Sequence, residues 1–496
     1  MPLPLCRVSF AANDQRPPNI LWIFCEDLSP FFGCYDDPVN KEHTPTIDAL
    51  ASEGVLFRRA YSTAPVCSAS RSAIITGVMQ TTTGTHQHRS SRTTDGEVVP
   101  ERLRIHLPKE IKTIPELLRE AGYFTFNSGK DDYNFDYDRR QLYSVGTEPN
   151  YLAGMNGWQG NKAQFSTSFT KHTWNSREDK TKPWFGQIML WGGKANAKHV
   201  RRGEKLADDE VPLPPYFPDS PAHRESWAMH YNSVRGTDAQ VEEILAQLKA
   251  DRQYEGTIIF FFSDHGSNHS LRHKQFCYEG GVHIPLVIAG KQSAIKPGKV
   301  RSDLVSALDI SATTLALAGL TLPDYFDGQD LFGEKFRSHD HIISARDRCD
   351  YTIDRIRTVR TEKLRYIRNY FLDRPMLQAQ YRDNRPEVTE LKRLHKAGKL
   401  NEYQQQHWFG TRPKEELYDL AADPHQVHNL AENPEYAGEL QRHREILESW
   451  ISETDDQGQY PESAEQLRAT YDLWKDRTIF KAADTNPEYD QFRSSK

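Results

Sequence analysis

Up to about residue 345, apolar stretches of strand length alternate with segments of helical period. Residues 19–25 form a continuous apolar run, and so do residues 257–262, which follow Gly256. Such runs are typical of strands that are buried on both faces of a sheet. Apolar residues recur at helical spacing at Val234, Val241, Ile244, Leu245 and Leu248. This alternation predicts a mainly parallel sheet with helices on both faces.

Local start and stop signals support the same alternation. Thr44 is placed to cap a helix that has Pro45 at its first position and ends at Gly54. Further elements are predicted as a helix over 114–121 and strands over 123–127, 184–191 and 284–289.

The pattern changes from about residue 346. Residues 355–360 alternate between polar and apolar, and residues 363–368 repeat the alternation, which predicts an antiparallel hairpin with one polar face. A strand over 415–420 and a helix over 434–450 would complete a smaller α+β unit. The predicted organisation is 1–16 as a leader remnant or disordered N-terminus, 17–345 as the large α/β domain, 346–475 as the α+β subdomain and 476–496 as a polar tail.

Composition and charge restrict the class of protein. The 496 residues are 27% charged and 37% hydrophobic, which is typical of a globular protein with a large core. A formal net charge of −6 gives no general attraction to nucleic acid or to anionic membranes. No apolar run reaches the roughly 20 residues that cross a bilayer, so no membrane span is expected. The six cysteines include no Cys-x-x-Cys pair, which argues against a zinc ribbon or a thioredoxin-like site.

Acidic residues directly follow two of the predicted strands. Glu26 and Asp27 come after the first strand, and Asp264 and His265 come after the strand at 257–262. The carboxyl ends of parallel strands meet at one edge of a sheet, where ligands bind. Carboxylates gathered there would repel one another unless a cation lay between them, and their oxygens favour Ca²⁺ or Mg²⁺. The alternative is that each acid caps a helix or lies in a loop.

Cys67 stands immediately before a predicted helix, and Arg71 follows one turn later. A helix N-terminus offers a partial positive charge and unpaired N–H groups, which favour a reactive or anionic group. Considered without its neighbours, Cys67 would be interpreted as a buried inert thiol.

The spacing of Cys67, Ala69 and Arg71 resembles the signature of type I sulfatases, which use formylglycine. Other segments resemble that family in the same order along the chain, namely 18–27, 44–54, 129–130, 263–266 and 274–285. The resemblance implies an α/β fold of the alkaline-phosphatase-like superfamily. That fold has a large, mainly parallel sheet sandwiched by helices and a smaller C-terminal α+β subdomain with an antiparallel sheet.

In type I sulfatases a separate maturation enzyme oxidises the cysteine to formylglycine, whose hydrate attacks sulfur beside a bound cation. The resemblance therefore implies formylglycine at residue 67 and a Ca²⁺ ion. The implied metal ligands are Glu26, Asp27, Cys67, Asp264 and His265. The family usually has Asp in place of Glu26 and often Asn in place of His265. A longer carboxylate would shift the cation, and an imidazole is a softer ligand, so His265 either binds the cation or only hydrogen-bonds beside it.

The resemblance also assigns cationic side chains to the reaction. Arg71 would hold the hydrated aldehyde with its planar fork. Lys130 and Lys274 would bind oxygens of the sulfate group as point charges. Surface lysines with no such role are the alternative interpretation.

The proton donor is the position at which this chain departs most from the family. The family commonly has histidines where this chain has Asp132 and Lys194. Because an acid catalyst must be protonated near the working pH, Asp132 would need a raised pKa, whereas Lys194 is already charged. Lys194 is therefore expected to contact the sulfate or the leaving group, and Asp132 is expected to bind substrate. His199 and His273 are the alternatives.

A polar, basic loop with His86, His88 and Arg89 follows the Cys67 helix. Beside an anion site, such a loop is predicted to bind a sulfated sugar, and a solvated loop is the alternative. Arg346, Arg348 and the arginines of the hairpin are further candidates to face the cleft.

The sequence therefore predicts a sulfatase that hydrolyses sulfate esters of polysaccharide or glycosaminoglycan fragments. Its partners would be a sulfated carbohydrate and the enzyme that generates formylglycine, and the resemblance favours a periplasmic or extracellular location. Three alternatives remain: an N-sulfoglucosamine sulfohydrolase, a phosphoester hydrolase of the same superfamily and a non-catalytic sulfoglycan-binding protein. Because superfamily phosphoesterases generally use Thr or Ser with zinc, the Cys67 signature disfavours the second alternative.

Overall fold

The structure is a computed structural model that describes residues 16–90, 100–146, 173–476 and 486–493. Residues 1–15 of the predicted leader and most of the predicted tail lie outside these ranges. The strands are β1 (Asn19–Cys25), β2 (Gly54–Tyr61), β3 (Phe124–Ser128), β4 (Trp184–Leu190), β5 (Thr257–Ser263), β6 (His283–Ile284), β7 (Leu286–Ala289), β8 (Lys299–Ser306), β9 (Ile342–Arg346), β10 (Ile356–Arg360), β11 (Leu364–Asn369) and β12 (Glu415–Asp419). The α-helices are α1 (Pro45–Glu53), α2 (Cys67–Thr76), α3 (Ile114–Glu120), α4 (Arg139–Leu142), α5 (Pro221–Ala250), α6 (Glu279–Val282), α7 (Ala307–Leu317), α8 (Pro386–Lys396), α9 (Glu402–Phe409), α10 (Ala437–Thr454) and α11 (Ala464–Trp474).

An eight-stranded sheet forms the centre of the larger unit. Strands β3, β4, β1 and β5 lie side by side and are parallel, and β2 is parallel to β8. The prediction of a mainly parallel sheet is confirmed, but the segment predicted over 284–289 is antiparallel to both of its neighbours. Pro285 divides this segment into β6 and β7, because proline has no N–H to donate to the sheet. The apolar run alone did not indicate the direction of the strand.

The central strand β1 contributes side chains to both faces of the sheet. Ile20, Trp22 and Phe24 belong to one buried cluster, which also includes residues of α2, α3 and α7. The alternate residues Leu21, Ile23 and Cys25 belong to a second cluster, which includes residues of α1 and α5. The predicted helices on both faces are therefore present. Within the described residues, no helix combines the length and apolarity needed to cross a membrane.

A separate four-stranded antiparallel sheet, in the order β12-β11-β10-β9, forms the smaller unit. The predicted hairpin is confirmed, with Arg360 opposite Arg365 next to the turn. The small sheet begins at Ile342, before the boundary predicted at 345/346, because β9 lacks the alternation that marked the hairpin. The arginines of the hairpin's polar face are buried in ion pairs: Arg357 contacts Asp456, and Arg365 contacts Glu279.

The order of the parallel strands determines which loops meet. Because β1 lies between β4 and β5, the residues after these three strands share one edge of the large sheet. Cys25 is directly opposite Ser263, so the acids that follow each of them are neighbours. The strand β3 is next to β4 and adds the loop that carries Lys130.

Candidate active site

Four buried side chains converge at this edge of the sheet. Possible ligand atoms of Asp27, Cys67, Asp264 and His265 all lie within 4.8 Å of one another. Cys67 Sγ is 3.3 Å from His265 Nε2 and 3.6 Å from Asp27 Oδ1. Asp264 Oδ1 accepts hydrogen bonds from the backbone N–H groups of Asp27 and His265, so it fixes both strand ends together. These four residues are among the five predicted metal ligands.

The orientation of the His265 ring suits a cation. Its Nδ1 lies 2.9 Å from the carbonyl oxygen of Gly266, which can only accept a hydrogen bond, so Nδ1 carries the proton. The lone pair of Nε2 then faces Cys67 and Asp27, as in a metal-binding histidine. Burial acts to lower the pKa of His265, but Asp264 and Asp27 raise it above its ordinary value. The two acids therefore favour positive charge at Nε2.

The fifth predicted ligand, Glu26, takes a different place. Among the described residues, its carboxylate is not part of the ligand cluster. Its Oε1 lies 2.8 Å from Arg71 Nη2 and 2.9 Å from Lys130 Nζ, and its Oε2 contacts Lys194. Burial acts to raise the pKa of Glu26, but these cations hold it well below its ordinary value. The structure thus assigns Glu26 to a buried ion-pair network behind the cluster.

Arg71 connects the acids of the two strand ends. Its Nε lies 3.0 Å from Asp264 Oδ2, and its guanidinium stacks 4.2 Å from the centre of the Phe24 ring. With the contact to Glu26, Arg71 bridges the residues after β1 and after β5. Its nearest partners are therefore carboxylates, whereas the sequence predicted a contact with the group at residue 67.

Three lysines surround Cys67. Lys274 Nζ lies 3.2 Å from Cys67 Sγ and 2.8 Å from Asp27 Oδ2, and Lys194 Nζ lies 3.9 Å from the same sulfur. Burial acts to raise the pKa of Cys67, but Lys130, Lys194 and Lys274 lower it below its ordinary value. The positive potential at residue 67 favours an anion, as expected for a site that binds a sulfate group.

The outer part of the cleft contains Arg89 and two acids. Arg89 Nε lies 3.5 Å from Asp132 Oδ1, and its Nη1 lies 3.6 Å from Asp350 Oδ1. Side-chain exposure rises from 0% at Asp27 through 9% at Asp132 to 18% at Arg89, so the cleft opens towards Arg89. His88 joins this group, because its Nε2 lies 3.7 Å from Asp350 Oδ1. Its Nδ1 lies 2.8 Å from the hydroxyl of Ser68, the residue after Cys67.

Residues 18–320 match the sequence profile of the Sulfatase family. An ulvan-active sulfatase of Formosa agariphila is 32% identical over 475 residues, which cover 90% of this chain and 76% of the relative. The chain belongs to the sulfatase family. It is a sulfuric ester hydrolase, and its large sheet has the alkaline-phosphatase-like fold.

Two further comparisons extend over most of the sulfatase. Human N-sulphoglucosamine sulphohydrolase is 25% identical over 491 residues, which cover 92% of each chain. The solved structure of a 2-O GAG sulfatase has a TM-score of 0.62 at 19% identity, and the match covers 91% of this chain and 96% of that chain. At this identity the structural likeness shows a shared fold.

Three histidines predicted for the site lie outside the cluster of this sulfatase. His86 is beside Asp347 and Arg357, where burial lowers its pKa. His199 packs closely against Gly236 of α5: a Cβ atom added at Gly236 would lie 3.3 Å from the Cβ atom of His199. The ring of His273 lies near Ser29 and Tyr216 beside a separate cavity of about 410 Å³, and burial lowers its pKa to about 3.

Two further basic candidates of the sulfatase, Arg346 and Arg348, pair with acids of the small unit. Arg346 lies 3.4 Å from Asp354 Oδ2, and Arg348 lies 2.7 Å from Glu462 Oε2. Sequence reasoning missed Ser68 and Asp350. Asp350 is close in sequence to Arg346 and Arg348, but an isolated acid in a loop gave no pattern that could have marked it.

Proposed function

We propose that this sulfatase hydrolyses sulfate esters of carbohydrates, with polysaccharide fragments as its substrates. We also propose that it uses formylglycine at residue 67 and a bound Ca²⁺ ion. The observation that carries the proposal is the buried cluster of Asp27, Asp264 and His265 against Cys67, with Lys274 and Lys194 beside the sulfur. The likeness to the ulvan-active relative over 90% of the chain supports a polysaccharide substrate.

The residues of the cluster fit a hard divalent cation. Two carboxyl groups lie beside one imidazole nitrogen that has its lone pair turned inward. Oxidation of Cys67 would replace a soft sulfur with oxygen and give the oxygen-rich set of ligands that Ca²⁺ prefers. When bound, the cation would activate the oxygen at residue 67 and stabilise negative charge. Asp27, Asp264, His265 and residue 67 would hold it.

The surrounding side chains would bind and orient the sulfate group. Lys274 and Lys194 lie beside residue 67 and would contact sulfate oxygens. Lys130 shares Glu26 with Lys194, so the carboxylate keeps both ammonium groups in fixed positions. Burial of the whole group would keep competing water away from sulfur.

The decisive experiment measures sulfate release from defined sulfated oligosaccharides, beginning with ulvan fragments, by protein co-produced with a formylglycine-generating enzyme. We expect release by the wild type, none by Cys67→Ala, and ordinary release by Cys34→Ala, a thiol outside the cluster. Mass spectrometry of the peptide that contains residue 67 should detect the aldehyde, and metal analysis should find Ca²⁺ that is lost in Asp264→Asn.

The proposal fails if Cys67→Ala keeps full activity or if residue 67 remains a thiol in every active preparation. An unmodified thiol without any turnover would instead favour a sulfoglycan-binding protein. If the active enzyme contains a different metal, only the assignment of Ca²⁺ is rejected and the rest of the proposal stands.

Hydrolysis of N-sulfated glucosamine is the second candidate. It is favoured by the likeness to the human N-sulphoglucosamine sulphohydrolase, which extends over 92% of both chains. The same assay separates the two functions when O-sulfated and N-sulfated glucosamine are compared side by side. We also propose a periplasmic or extracellular location, since polymeric substrates of this kind are met outside the cytoplasm.

A further inference from the structure

Asp350 lies in the small unit but reaches the mouth of the cleft. Its side chain is 3% exposed, and its Oδ1 has no hydrogen-bond partner among the described residues. Within the part of the chain that the structure describes, Arg89 Nη1 lies 3.6 Å from this oxygen and His88 Nε2 lies 3.7 Å from it, both beyond hydrogen-bond distance. A buried carboxyl oxygen without a partner is costly, and such atoms are often completed by a ligand.

The backbone around Asp350 is strained in the same way as that of its neighbours. Asp350, Arg89 and Asp132 have φ angles of 53°, 60° and 54°, which are in the left-handed region that residues with a Cβ rarely adopt. The three residues come from separate segments and meet in one network. Strain of this kind persists where the surroundings impose it, and it is concentrated at functional sites.

Asp350 lies where the leaving group of the substrate, the sugar, is expected. The sulfate group would lie deep in the cleft with Lys274 and Lys194, so the sugar must extend towards the opening at Arg89. Asp350 borders that opening. Lys274 is close enough to affect the ionisation of Asp350, so the carboxyl is near both the sulfate pocket and the exit.

Cleavage of a sugar sulfate needs a proton at the leaving oxygen, because an alkoxide is a poor leaving group. Asp132 does not supply it: burial acts to raise its pKa, but Lys130 and Arg89 hold the pKa below the ordinary value, so it is ionised. Lys194 does not supply it either, because its ammonium group is held by Glu26. Burial lowers the pKa of His88 well below its ordinary value, so its ring is neutral.

The surroundings of Asp350 favour the protonated form. Burial raises its pKa above the ordinary value, and this effect exceeds the opposing influence of Arg89, Lys274 and Arg348. Other titratable groups near it, among the described residues, include His88, Asp132, Cys349, Tyr351 and Tyr489. The environment therefore shifts the pKa values of the two carboxyl groups beside Arg89 in opposite directions. Asp132 is ionised, whereas Asp350 is inclined to keep its proton.

We propose that Asp350 is the acid that protonates the sugar oxygen as it leaves sulfur. This inference rests on the proposed hydrolysis of carbohydrate sulfates. The bond between sulfur and the sugar oxygen breaks, and its electron pair remains on that oxygen, which takes the proton of Asp350. Sulfur forms its new bond to the oxygen at residue 67, which loses its own proton to water. Asp350 is left ionised and regains a proton from water.

Asp350→Asn keeps the size of the side chain but removes the acid, so it tests this role. For a sugar sulfate we expect kcat to fall about 100-fold or more, in the range of lost acid catalysis. For 4-nitrophenyl sulfate, whose leaving group needs no proton, kcat should stay within about threefold of the wild type. Asp347→Asn is the control, because Asp347 is equally buried nearby but pairs with Arg357. It should affect both substrates alike.

The pH profile of the sugar sulfate reaction gives a second test. Because only the protonated form acts, kcat should fall as the pH rises through the pKa of Asp350, and this alkaline fall should be missing in Asp350→Asn. If the wild type does not hydrolyse 4-nitrophenyl sulfate, this profile decides alone. In a Cys67→Ala background, Asp350→Asn should leave the affinity for the sugar sulfate within about threefold.

The inference is overturned if both substrates lose activity equally, if neither does, if the alkaline fall remains in the variant, or if affinity is lost as strongly as turnover. A wild type that releases no sulfate would instead reject the proposed function. The two failures are therefore distinguishable.

Discussion

Acids and ammonium groups alternate around residue 67, and neither set would be stable there alone. Asp27 is fully buried and contacts Lys274, while Glu26 is fully buried and contacts Lys130. Buried charges of one sign are costly, whereas paired charges with good geometry are tolerated. A site built in this way can accept both a cation and a sulfate group, because each added charge meets partners of opposite sign.

Arg71 holds the two acidic strand ends together, so we expect Arg71→Ala to lower the free energy of unfolding by about 3–5 kcal/mol. The loss arises because Glu26 and Asp264 would remain buried without their shared cation. Urea unfolding measured by circular dichroism gives the change. Arg140→Ala is the control, because its pair with Asp138 is exposed to solvent and should contribute little. Equal stability of the two variants would contradict this role of Arg71.

The loop after β4 determines how closely Lys194 approaches the acids of β1. Gly193 donates its N–H to the carbonyl of Glu26, and a Cβ at Gly193 would lie 2.0 Å from the carbonyl oxygen of Asp27. Asp27 itself has a φ of 51°, so its backbone is already in a strained conformation. The loop and the strand end therefore form one tightly packed element.

We expect Gly193→Ala to displace Asp27, with a loss of about 1–3 kcal/mol in the free energy of unfolding from overpacking. Metal content and kcat should fall together, since Asp27 belongs to the ligand cluster. Gly438→Ala, in α10, is the matched control because nothing lies within 4 Å of the added methyl. If Gly193→Ala keeps full metal content, the contact with Asp27 is less rigid than the structure indicates.

The two units of the molecule meet through Glu279, which starts α6 shortly after Lys274. Its Oε1 lies 3.0 Å from the Nε atoms of both Arg360 and Arg365 in the small sheet. Burial acts to raise the pKa of Glu279, but Arg365 and Arg360 lower it to about 2. The small unit is thus linked electrostatically to the segment that positions Lys274.

This pair should make stability depend on pH in a defined direction. Because the pKa is lowered in the folded protein, the contribution is complete above the ordinary value of 4.5 and disappears as the pH falls towards 2. The shift from 4.5 to about 2 corresponds to roughly 3 kcal/mol. Between pH 5 and pH 2, the free energy of unfolding should therefore fall more steeply in the wild type than in Glu279→Gln. Parallel curves would show that the ion pair contributes little.

Much of the fold could be predicted from the chain because strands buried on both faces leave continuous apolar runs. The runs at 19–25 and 257–262 and the hairpin at 355–368 gave the correct elements. The start of the small sheet at Ile342 and the antiparallel direction of β7 were not predictable. Both depend on which strand lies alongside, and the local pattern of side chains is the same in either case.

For the site, the sequence by itself marked the acids after β1 and β5 and Cys67 at the start of a helix, because each stands at the end of one strand or helix. The lysines had no such local signal and were predicted from the resemblance to type I sulfatases. Only the tertiary structure decided that Glu26 belongs to the ion pairs, that the ring of His273 lies beside Tyr216, and that Asp350 lies next to Arg89. Those outcomes depend on packing between segments distant in the chain, so no short stretch of sequence contains them.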